Sequence, residues 1–308
     1  MALALFLKVN MNQRILLIDT STVMHQVKFS LGKHKLSHNE RSTFVIYGFL
    51  LKLAFLLKKT KSNVVVFAID SKASKRKDMY SEYKEKRSQN KTDKQIELDL
   101  LAYPQFTEII DYVIPKIGYR NVFGSDGLEA DDIIGKICKT YKKSEIVICS
   151  TDHDLYQLLD NNVVIFNLQT DGWFTKVNFH KKYGIEPKMW KRVKAIGGCS
   201  SDNIKGVPIP QDDPTKKTRC VAETGALNFI KGKMNPNTQA YKAITSRAGK
   251  DVINRNKKLV ILPFKNTPDF PIRPDHPKKA GFKKVCKKYG FNSLLTDIHY
   301  WTETLKLR

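Results

Sequence analysis

The stretch Leu16-Leu17-Ile18-Asp19, an apolar run that ends in a carboxylate, decides the fold prediction. The arrangement recurs where residues 64–69 lead to Asp70 and where residues 146–151 lead to Asp152. Apolar, β-branched runs of this length are typical of strands buried on both faces of a parallel sheet. Open α/β sheets bind ligands beyond the carboxyl ends of their strands. The three aspartates are therefore predicted to meet in one crevice.

Further acids accompany these three and bring the set to eight. They are Asp19, Asp70, Glu129, Asp131, Asp132, Asp152, Asp154 and Asp202. Carboxylates gather only where cations offset their charge. Two Mg²⁺ or Mn²⁺ ions spaced ~3.5–4 Å apart use several oxygen ligands, some of them through water. The set therefore predicts a site for two divalent cations.

Single members of the set also have simpler explanations. An aspartate at the end of a strand commonly caps the following helix, which suits Asp19 and Asp152. Residues 129–132 suit an acidic first helical turn, which the helix dipole favours. The joint pattern, with Glu129 and Asp132 three apart on one helix face, favours the metal site.

Composition indicates a polyanionic partner. The 308 residues include 54 Lys and Arg against 30 Asp and Glu, so the net charge is +24 and the pI is about 9.7. Such a surplus suits nucleic acid or an anionic membrane. No apolar run reaches the ~18 residues of a membrane span, and residues 2–7 are too short for a signal peptide. Five cysteines without a CxxC pair indicate reduced thiols, so we expect a protein of the cytoplasm.

Alternating patterns along the first 185 residues predict an α/β fold with a mostly parallel sheet flanked by helices. We expect strands at residues 13–19, 63–70, 119–123, 145–150 and 163–167, and helices at 42–58, 94–117 and 128–142. The last helix would bury Ile133, Ile134, Ile137 and Tyr141. Residues 71–94 hold nine Lys and Arg with Tyr80 and Tyr83 interleaved and no apolar stripe, so they are predicted to stay outside the core.

The second unit, residues 186–308, lacks the strand pattern. Residues 215–258 carry 11 Lys and Arg and predict a mostly helical, basic subdomain. The following tail contains five prolines and is predicted to be irregular before a last helix near residues 280–289.

Six motifs follow one another in a characteristic order. They are Leu-Ile-Asp19, Ala-Ile-Asp70, Arg76 with Tyr83-Lys84-x-x-Arg87, Glu129-Ala-Asp131-Asp132, Ser-Thr-Asp152-x-Asp154 and Asp202-Asn203. From about residue 14 to 207 the chain resembles the flap endonuclease / 5′-nuclease family. It looks most like the phage members, including the phage enzyme called ribonuclease H, and the 5′-nuclease domains of bacterial DNA polymerase I. The resemblance implies a PIN-like fold with a helical arch at about residues 71–94 and a helical, helix–hairpin–helix-type DNA-binding region.

The resemblance also implies residue roles. Asp19, Asp70, Glu129, Asp131 and Asp152 would form the shell of the first metal, supported by Asp132, and Asp154 and Asp202 would hold the second. Lys84 and Arg87 would contact the scissile phosphate, and Arg76, at the base of the arch, would bind the nucleic acid. Basic residues and rings such as that of Tyr83 suit a single strand, since cations bind its backbone and rings stack on its bases.

The implied activity is hydrolysis at the 5′ end of DNA flaps, nicked duplex and RNA–DNA hybrids. A free-standing chain of this family looks like a phage protein that removes RNA primers in the host cytoplasm, acting as a monomer. A single-strand-binding protein or a clamp is the class of protein partner to expect, although no segment identifies one.

Two positions depart from the family pattern Gly-Asp-x-x-Asp-Asn and the hairpin after it. Cys199 replaces the first aspartate, and a neutral thiol is a poor ligand for hard Mg²⁺. Weaker metal affinity, preference for a softer metal and loss of one activity are the open consequences. Pro208 and Pro210 stand where relatives have a Gly-x-Gly hairpin and lack its N–H groups. Lys216, Lys217 and Arg219 are therefore predicted to contact the downstream duplex.

Three competing functions share part of this pattern. A non-catalytic DNA-binding relative with a decayed second metal site would bind without cutting. A phosphohydrolase with Asp19 as nucleophile typically needs a second aspartate two residues on, where this chain has Ser21. A PIN-type ribonuclease shares the acids but not the long basic arch. Metal-dependent cleavage separates the nuclease from the first alternative.

Overall fold

A computed structural model of the chain describes residues 13–34, 36–85, 91–211 and 218–308, and the statements below concern these residues. Its centre is a six-stranded sheet with the order β5-β4-β1-β6-β7-β8. The strands are β1 (Arg14–Asp19), β2 (Ser37–His38), β3 (Arg41–Ser42), β4 (Val64–Ala68), β5 (Val122–Phe123), β6 (Glu145–Cys149), β7 (Val163–Asn167), β8 (Gly172–Phe174), β9 (Gly198–Cys199), β10 (Ile204–Lys205), β11 (Pro208–Ile209) and β12 (Arg219–Cys220).

Helices cover both faces of the sheet. They are α1 (Thr20–Leu31), α2 (Phe44–Thr60), α3 (Lys75–Met79), α4 (Asp93–Glu108), α5 (Ile114–Ile117), α6 (Ala130–Thr140), α7 (Lys176–Tyr183), α8 (Trp190–Gly197), α9 (Glu223–Ile230), α10 (Gln239–Thr245), α11 (Arg247–Val260), α12 (Lys279–Lys288), α13 (Asn292–Thr296) and α14 (Ile298–Thr304). A π-helical turn, Ile109–Val113, joins α4 to α5. The predicted helix at residues 94–117 is thereby confirmed as one continuous element.

Alternate residues of the strands face two separate cores. On β1, Leu16 and Ile18 pack with α1, α2 and the C-terminal helices, whereas Ile15 and Leu17 pack with α6, α7 and α8. Burial on both faces explains why the runs are continuously apolar. On α6, Ile133, Ile134 and Ile137 are buried as predicted, while Tyr141 is only partly buried.

The sheet is mostly parallel, which confirms the predicted fold class. β1 pairs in parallel with β4 and with β6, and β6 pairs in parallel with β7. In this register Asp19 stands beside Ala68, and Ile18 stands beside Cys149. Asp70 and Asp152 follow shortly after these neighbours. The three predicted strand ends therefore meet at one edge of the sheet.

The structure differs from the predicted elements in several places. The short strands β9 to β12 lie beyond residue 185, where no strand pattern was expected. Strand β8 was not predicted and pairs with β7 in antiparallel fashion. It is only three residues long, too short to show an alternation of apolar and polar residues. Helices α13 and α14 follow the helix that was predicted to be the last. Residues 71–94 do contribute to the interior, because Arg76 and Tyr83 are 2% and 3% exposed.

The C-terminal helices return to the first core. Phe282 and Val285 of α12 and Trp301 of α14 are buried there, and Phe282 stacks on Trp301 at 5.2 Å between ring centroids. Trp190 and Val193 of α8 belong to the second core. Residues on both sides of position 185 thus share the two cores, and a domain boundary at that position stays a prediction. None of the described helices combines the length and the apolar character that crossing a membrane requires.

Candidate metal centre

A cavity of about 1460 Å³ opens at the carboxyl ends of β1, β4 and β6. Six of the eight predicted acids line it: Asp19, Asp70, Glu129, Asp131, Asp152 and Asp154. The sheet positions three of them directly, and the start of α6 supplies Glu129 and Asp131. The sequence therefore predicted correctly that these acids share one crevice.

Asp19 caps α1 and faces the cavity at the same time. Its carboxylate accepts hydrogen bonds from the Thr22 backbone N–H at 3.0 Å, the Thr22 hydroxyl at 2.5 Å and the Ser150 hydroxyl at 2.9 Å. Burial and the neighbouring charge of Asp70 nevertheless raise the pKa of Asp19 to about 6. The helix-cap explanation and the cavity explanation are therefore both correct for this residue.

Carboxylate repulsion is strongest around Asp131. Burial, followed by the charges of Asp152, Asp19 and Asp70, raises its pKa well above the ordinary range, and only Lys84 among the main contributors acts in the opposite direction. Burial and the charge of Asp154 likewise raise the pKa of Asp152. A site in which burial and mutual repulsion raise the pKa of several acids fits divalent cations, which supply the missing positive charge.

A second group of possible ligands lies beside the first. One oxygen of Asp154, one of Asp202 and the Cys199 sulfur all lie within 4.8 Å of one another, and all three residues are buried. Oδ1 of Asp154 is fully buried and lies against the Lys194 ammonium. The group thus brings together two predicted acids and the cysteine that departs from the family pattern, in an arrangement that can hold a metal ion.

Lys194 of α8 was not predicted as a site residue. Its ammonium lies 3.1 Å from Asp154 Oδ1 and 3.3 Å from a Glu223 oxygen. Burial alone would lower the pKa of Lys194, but Asp154, Cys199 and Glu223 together outweigh this effect and raise it. The available signal was a lysine between Val193 and Ala195 on an otherwise apolar helix face, since buried lysines are rare without a partner.

The segment after α3 enters the site with Tyr83 and Lys84. The Tyr83 hydroxyl lies 2.9 Å from a Glu129 oxygen and 3.3 Å from an Asp202 oxygen. Lys84 forms an ion pair with Glu129 at 2.7 Å, and its backbone N–H donates to the Asp202 carbonyl at 2.9 Å. Lys84 therefore lies at the carboxylates. Tyr83, which was predicted to bind a single strand, is instead buried and connects the two groups of acids.

Asp132 and Arg76 pair with each other behind the cavity. Asp132 is fully buried, and both of its oxygens accept from Arg76, at 2.6 and 2.7 Å. The Phe264 backbone N–H donates to the same carboxylate, while Arg76 Nε donates to the Leu259 carbonyl. Asp132 therefore supports the site from behind and does not line the cavity. Arg76 is a buried structural partner, and in this conformation its guanidinium is not placed to contact nucleic acid.

The remaining predicted residues lie on the surface or outside the described part of the chain. Arg219 of β12 is exposed and pairs through its backbone with Ile209. Arg87, Lys216 and Lys217 fall within residues 86–90 and 212–217, which the structure does not describe. Their roles stay predictions.

Comparison with known proteins gives a consistent result. The family model “5′-3′ exonuclease, N-terminal resolvase-like domain” matches residues 14–184, more than half of the 308-residue chain. A 5′-3′ exonuclease of Buchnera aphidicola subsp. Schizaphis graminum is 29% identical over 274 residues, which are 87% of this chain and 83% of that protein. DNA polymerase I of Caldicellulosiruptor bescii is 31% identical over 259 residues, which are 81% of this chain and 29% of the polymerase.

Solved structures share the fold. A bacteriophage T5 D15 flap endonuclease, solved with DNA and metal ions, superposes with a TM-score of 0.66 at 18% identity over 82% of this chain and 90% of that chain. Human GEN1 in complex with Holliday junction DNA has a TM-score of 0.54 at 13% identity over 95% and 70% of the two chains. This likeness identifies the architecture as PIN-like. With the family match over residues 14–184, it follows that the chain belongs to the 5′-3′ exonuclease family and is a nuclease.

Proposed function

We propose that this nuclease hydrolyses phosphodiester bonds at the 5′ end of flaps, nicked duplex and RNA–DNA hybrids, with two Mg²⁺ or Mn²⁺ ions. The observation that supports the proposal best is the gathering of six carboxylates at one cavity. Burial, together with their mutual repulsion, raises the pKa values of Asp19, Asp131 and Asp152. Such an arrangement is costly unless divalent cations bind there.

The donors fit two ions. Asp19, Asp70, Glu129, Asp131 and Asp152 would hold the first ion, directly or through water, and Asp154, Asp202 and Cys199 would hold the second. When bound, the two ions would supply a hydroxide nucleophile from water and offset the charge of the leaving 3′ oxygen. The chain contributes the positions of these donors, which the strand ends and the first turn of α6 determine.

Lys84 is the residue that we propose to act on the scissile phosphate. Its ammonium already lies in the cavity, 2.7 Å from Glu129 and 4.0 Å from Asp202. Positive charge fixed near the non-bridging oxygens stabilises the extra negative charge of the transition state. Arg87 would act with it, and Tyr83 would keep the segment that carries Lys84 attached to both groups of acids.

Nucleic acid is the partner that the charge favours. The net charge of +24 exists although the cavity itself is acidic, so the cations are concentrated elsewhere, where a polyanion can bind. The T5 D15 and GEN1 structures that share the fold contain DNA. We further propose a role in primer removal during phage replication, with the chain acting as a monomer; a single-strand-binding protein or a clamp is the expected partner class.

The test is a cleavage assay on a 5′-labelled flap and on a 5′-labelled RNA–DNA hybrid, with Mg²⁺, Mn²⁺ or EDTA. We expect short 5′ products that disappear with EDTA. Asp152→Asn should abolish cleavage and retain binding of the flap, because it removes a metal ligand but none of the surface cations. Asp171→Asn is the matched control, since Asp171 is exposed and does not line the cavity.

The outcomes separate the alternatives. Cleavage of single-stranded RNA with no cutting of either duplex substrate would favour a PIN-type ribonuclease. Wild-type rates in Asp152→Asn would refute the metal assignment. Cleavage of the flap without cleavage of the hybrid would retain the nuclease and refute the primer-removal role.

A further inference from the structure

The second group of acids contains a sulfur where a two-metal nuclease of this family has oxygen. Cys199 leads from β9 into the turn Ser200–Asp202, and its thiol reaches the same space as Asp154 and Asp202. These three residues are 6–8% exposed, so water has little access to the donors. The sulfur therefore lies where it can serve as a ligand together with the two carboxylates.

The Asp154 carboxylate pairs with Lys194 and still faces the group. Oδ1 of Asp154 is buried and lies 3.1 Å from the Lys194 ammonium. A carboxylate oxygen has two acceptor lone pairs, so a single ammonium leaves capacity for a metal ion. A metal ion bound between Asp154, Cys199 and Asp202 would use this capacity.

The charge of the group is small for Mg²⁺. Asp154 and Asp202 contribute two negative charges, Lys194 contributes one positive charge, and a protonated thiol contributes none. Mg²⁺ demands hard oxygen ligands and gives up its water reluctantly. Thiophilic ions such as Zn²⁺, Co²⁺ or Cd²⁺ bind sulfur well: the bond from sulfur to metal forms as the S–H bond breaks, and the proton leaves to solvent.

We propose that Asp154, Cys199 and Asp202 form a mixed sulfur and oxygen site that binds a thiophilic divalent ion more tightly than Mg²⁺. This proposal rests on the proposed function, because the site is the second of its two metal positions. It assigns the two positions different metals, a hard ion among the carboxylates of Asp19 and Asp131 and a softer one beside Cys199.

A structural role for the thiol is the competing explanation. The Cys199 sulfur lies 3.0 Å from the Ser201 hydroxyl and packs in a small core with Tyr83, Ile204 and Leu259. If the sulfur only fills this space, serine or aspartate at position 199 should change stability without changing which metals bind. Metal spectroscopy distinguishes the two roles.

The experiment is a Co²⁺ titration of the full chain without nucleic acid, followed by near-ultraviolet absorption. Wild type should develop a sulfur-to-cobalt charge-transfer band, which carboxylates alone do not produce. Cys199→Ser should lack the band, whereas Cys220→Ser should keep it, since Cys220 lies on β12 outside the cavity. Circular dichroism of each variant establishes that it is folded.

Calorimetric titrations with Cd²⁺ and Mg²⁺ provide the second measurement. Cys199→Ser should weaken Cd²⁺ binding by at least about tenfold, because losing even a residue that only hydrogen-bonds to a metal ligand can weaken metal binding by this much. Cys199→Asp should strengthen Mg²⁺ binding at this position and weaken Cd²⁺ binding, and it provides the comparison if the serine variant does not fold. Absence of the band in wild type, or its persistence in Cys199→Ser, would overturn the proposal. Because no nucleic acid is present, this failure is distinguishable from a failure of the proposed cleavage activity.

Discussion

At the scale of single residues, Asp19 shows how one side chain serves both the fold and the site. Its carboxylate caps α1 through Thr22 and accepts from Ser150, so a helix-cap explanation accounts for its position. Its burial and the charge of Asp70 raise its pKa to about 6. The capping carboxylate of Asp19 therefore carries a negative charge that its surroundings disfavour until a cation binds.

The raised pKa of Asp19 predicts how the stability of the metal-free protein depends on pH. Between its ordinary pKa near 3.8 and the folded value of about 6, the folded state keeps a proton that the unfolded state has lost. The free energy of unfolding must then fall as pH rises through this window and level off above it. Asp19→Asn removes this contribution and keeps an oxygen for the Thr22 N–H.

We therefore expect Asp19→Asn to be more stable than wild type at pH 7 by about 1–3 kcal/mol, and similar to wild type near pH 4. Urea denaturation in EDTA across this pH range measures the difference. Asp171→Asn, at an exposed position, should differ from wild type by less than about 0.5 kcal/mol. If Asp19→Asn were less stable than wild type at pH 7, the hydrogen bonds of the charged cap would contribute more to stability than the carboxylate repulsion costs.

The pairing of Asp132 with Arg76 could not be predicted from the sequence. Adjacent Asp131 and Asp132 look alike in sequence, yet Asp131 lines the cavity and Asp132 turns away to Arg76. Successive residues on a helix point about 100° apart, so Asp131 and Asp132 face different surroundings. The partner of Asp132 lies 56 residues away on α3, and nothing in a single sequence identifies such a pair.

At the scale of elements, the long apolar strands were predictable and the short ones were not. β1, β4 and β6 are buried on both faces, so almost every residue in them is apolar. β8 has three residues, and the hairpin strands after residue 198 have two each, too few to show a period. Most of the site acids were found because they end the long strands or begin α6.

The segment of residues 71–85 is where local composition misled the prediction. Its charge suggested a solvated loop, but Tyr83 and Arg76 turn inward to carboxylates that lie on other elements. Lys84 adopts a left-handed backbone conformation with φ of 54°, which directs its N–H to the Asp202 carbonyl. Charged residues can be interior when their partners are distant in sequence.

This segment predicts opposite effects of Lys84 on metal binding and on cleavage. Lys84→Met removes a positive charge that repels incoming cations, so divalent ions should bind the nucleic-acid-free protein up to about fivefold more tightly, the value of a partly exposed ion pair. Cleavage should fall by about 10²-fold or more, because a donor to the developing charge is lost. Calorimetry with Mn²⁺ and single-turnover cleavage measure the two effects.

Lys77→Met is the matched control for Lys84→Met, since Lys77 also lines the cavity but is exposed on α3. It should leave Mn²⁺ affinity nearly unchanged. Parallel losses of metal binding and cleavage in Lys84→Met would contradict the prediction and would indicate that Lys84 maintains the geometry of Glu129.

At the scale of the whole molecule, the C-terminal helices pack against elements from the first half of the chain. The C-terminal residues 279–308 pack against α2 and α5, elements that precede most of the site in sequence. Lys279 and Arg308 are joined by a backbone hydrogen bond of 2.9 Å, and the Arg308 N–H donates to the Pro277 carbonyl. The composition of the second half predicted a separate basic unit, because surface charge and not core membership dominates its sequence.

This packing predicts that the free energy of unfolding of the nuclease core depends on α14. Trp301 is 4% exposed and stacks on Phe282, whereas its neighbour Tyr300 is 38% exposed. Trp301→Ala should lower the free energy of unfolding by about 3–5 kcal/mol, and Tyr300→Ala, which removes an aromatic ring at the surface, by well under half of that. Tryptophan and tyrosine at consecutive positions make a closely matched pair.

In urea denaturation, far-ultraviolet circular dichroism and cleavage should be lost together in a single transition that shifts to lower urea in Trp301→Ala. If residues 186–308 formed an independent unit, Trp301→Ala would instead split the unfolding curve and leave the transition of the first core in place.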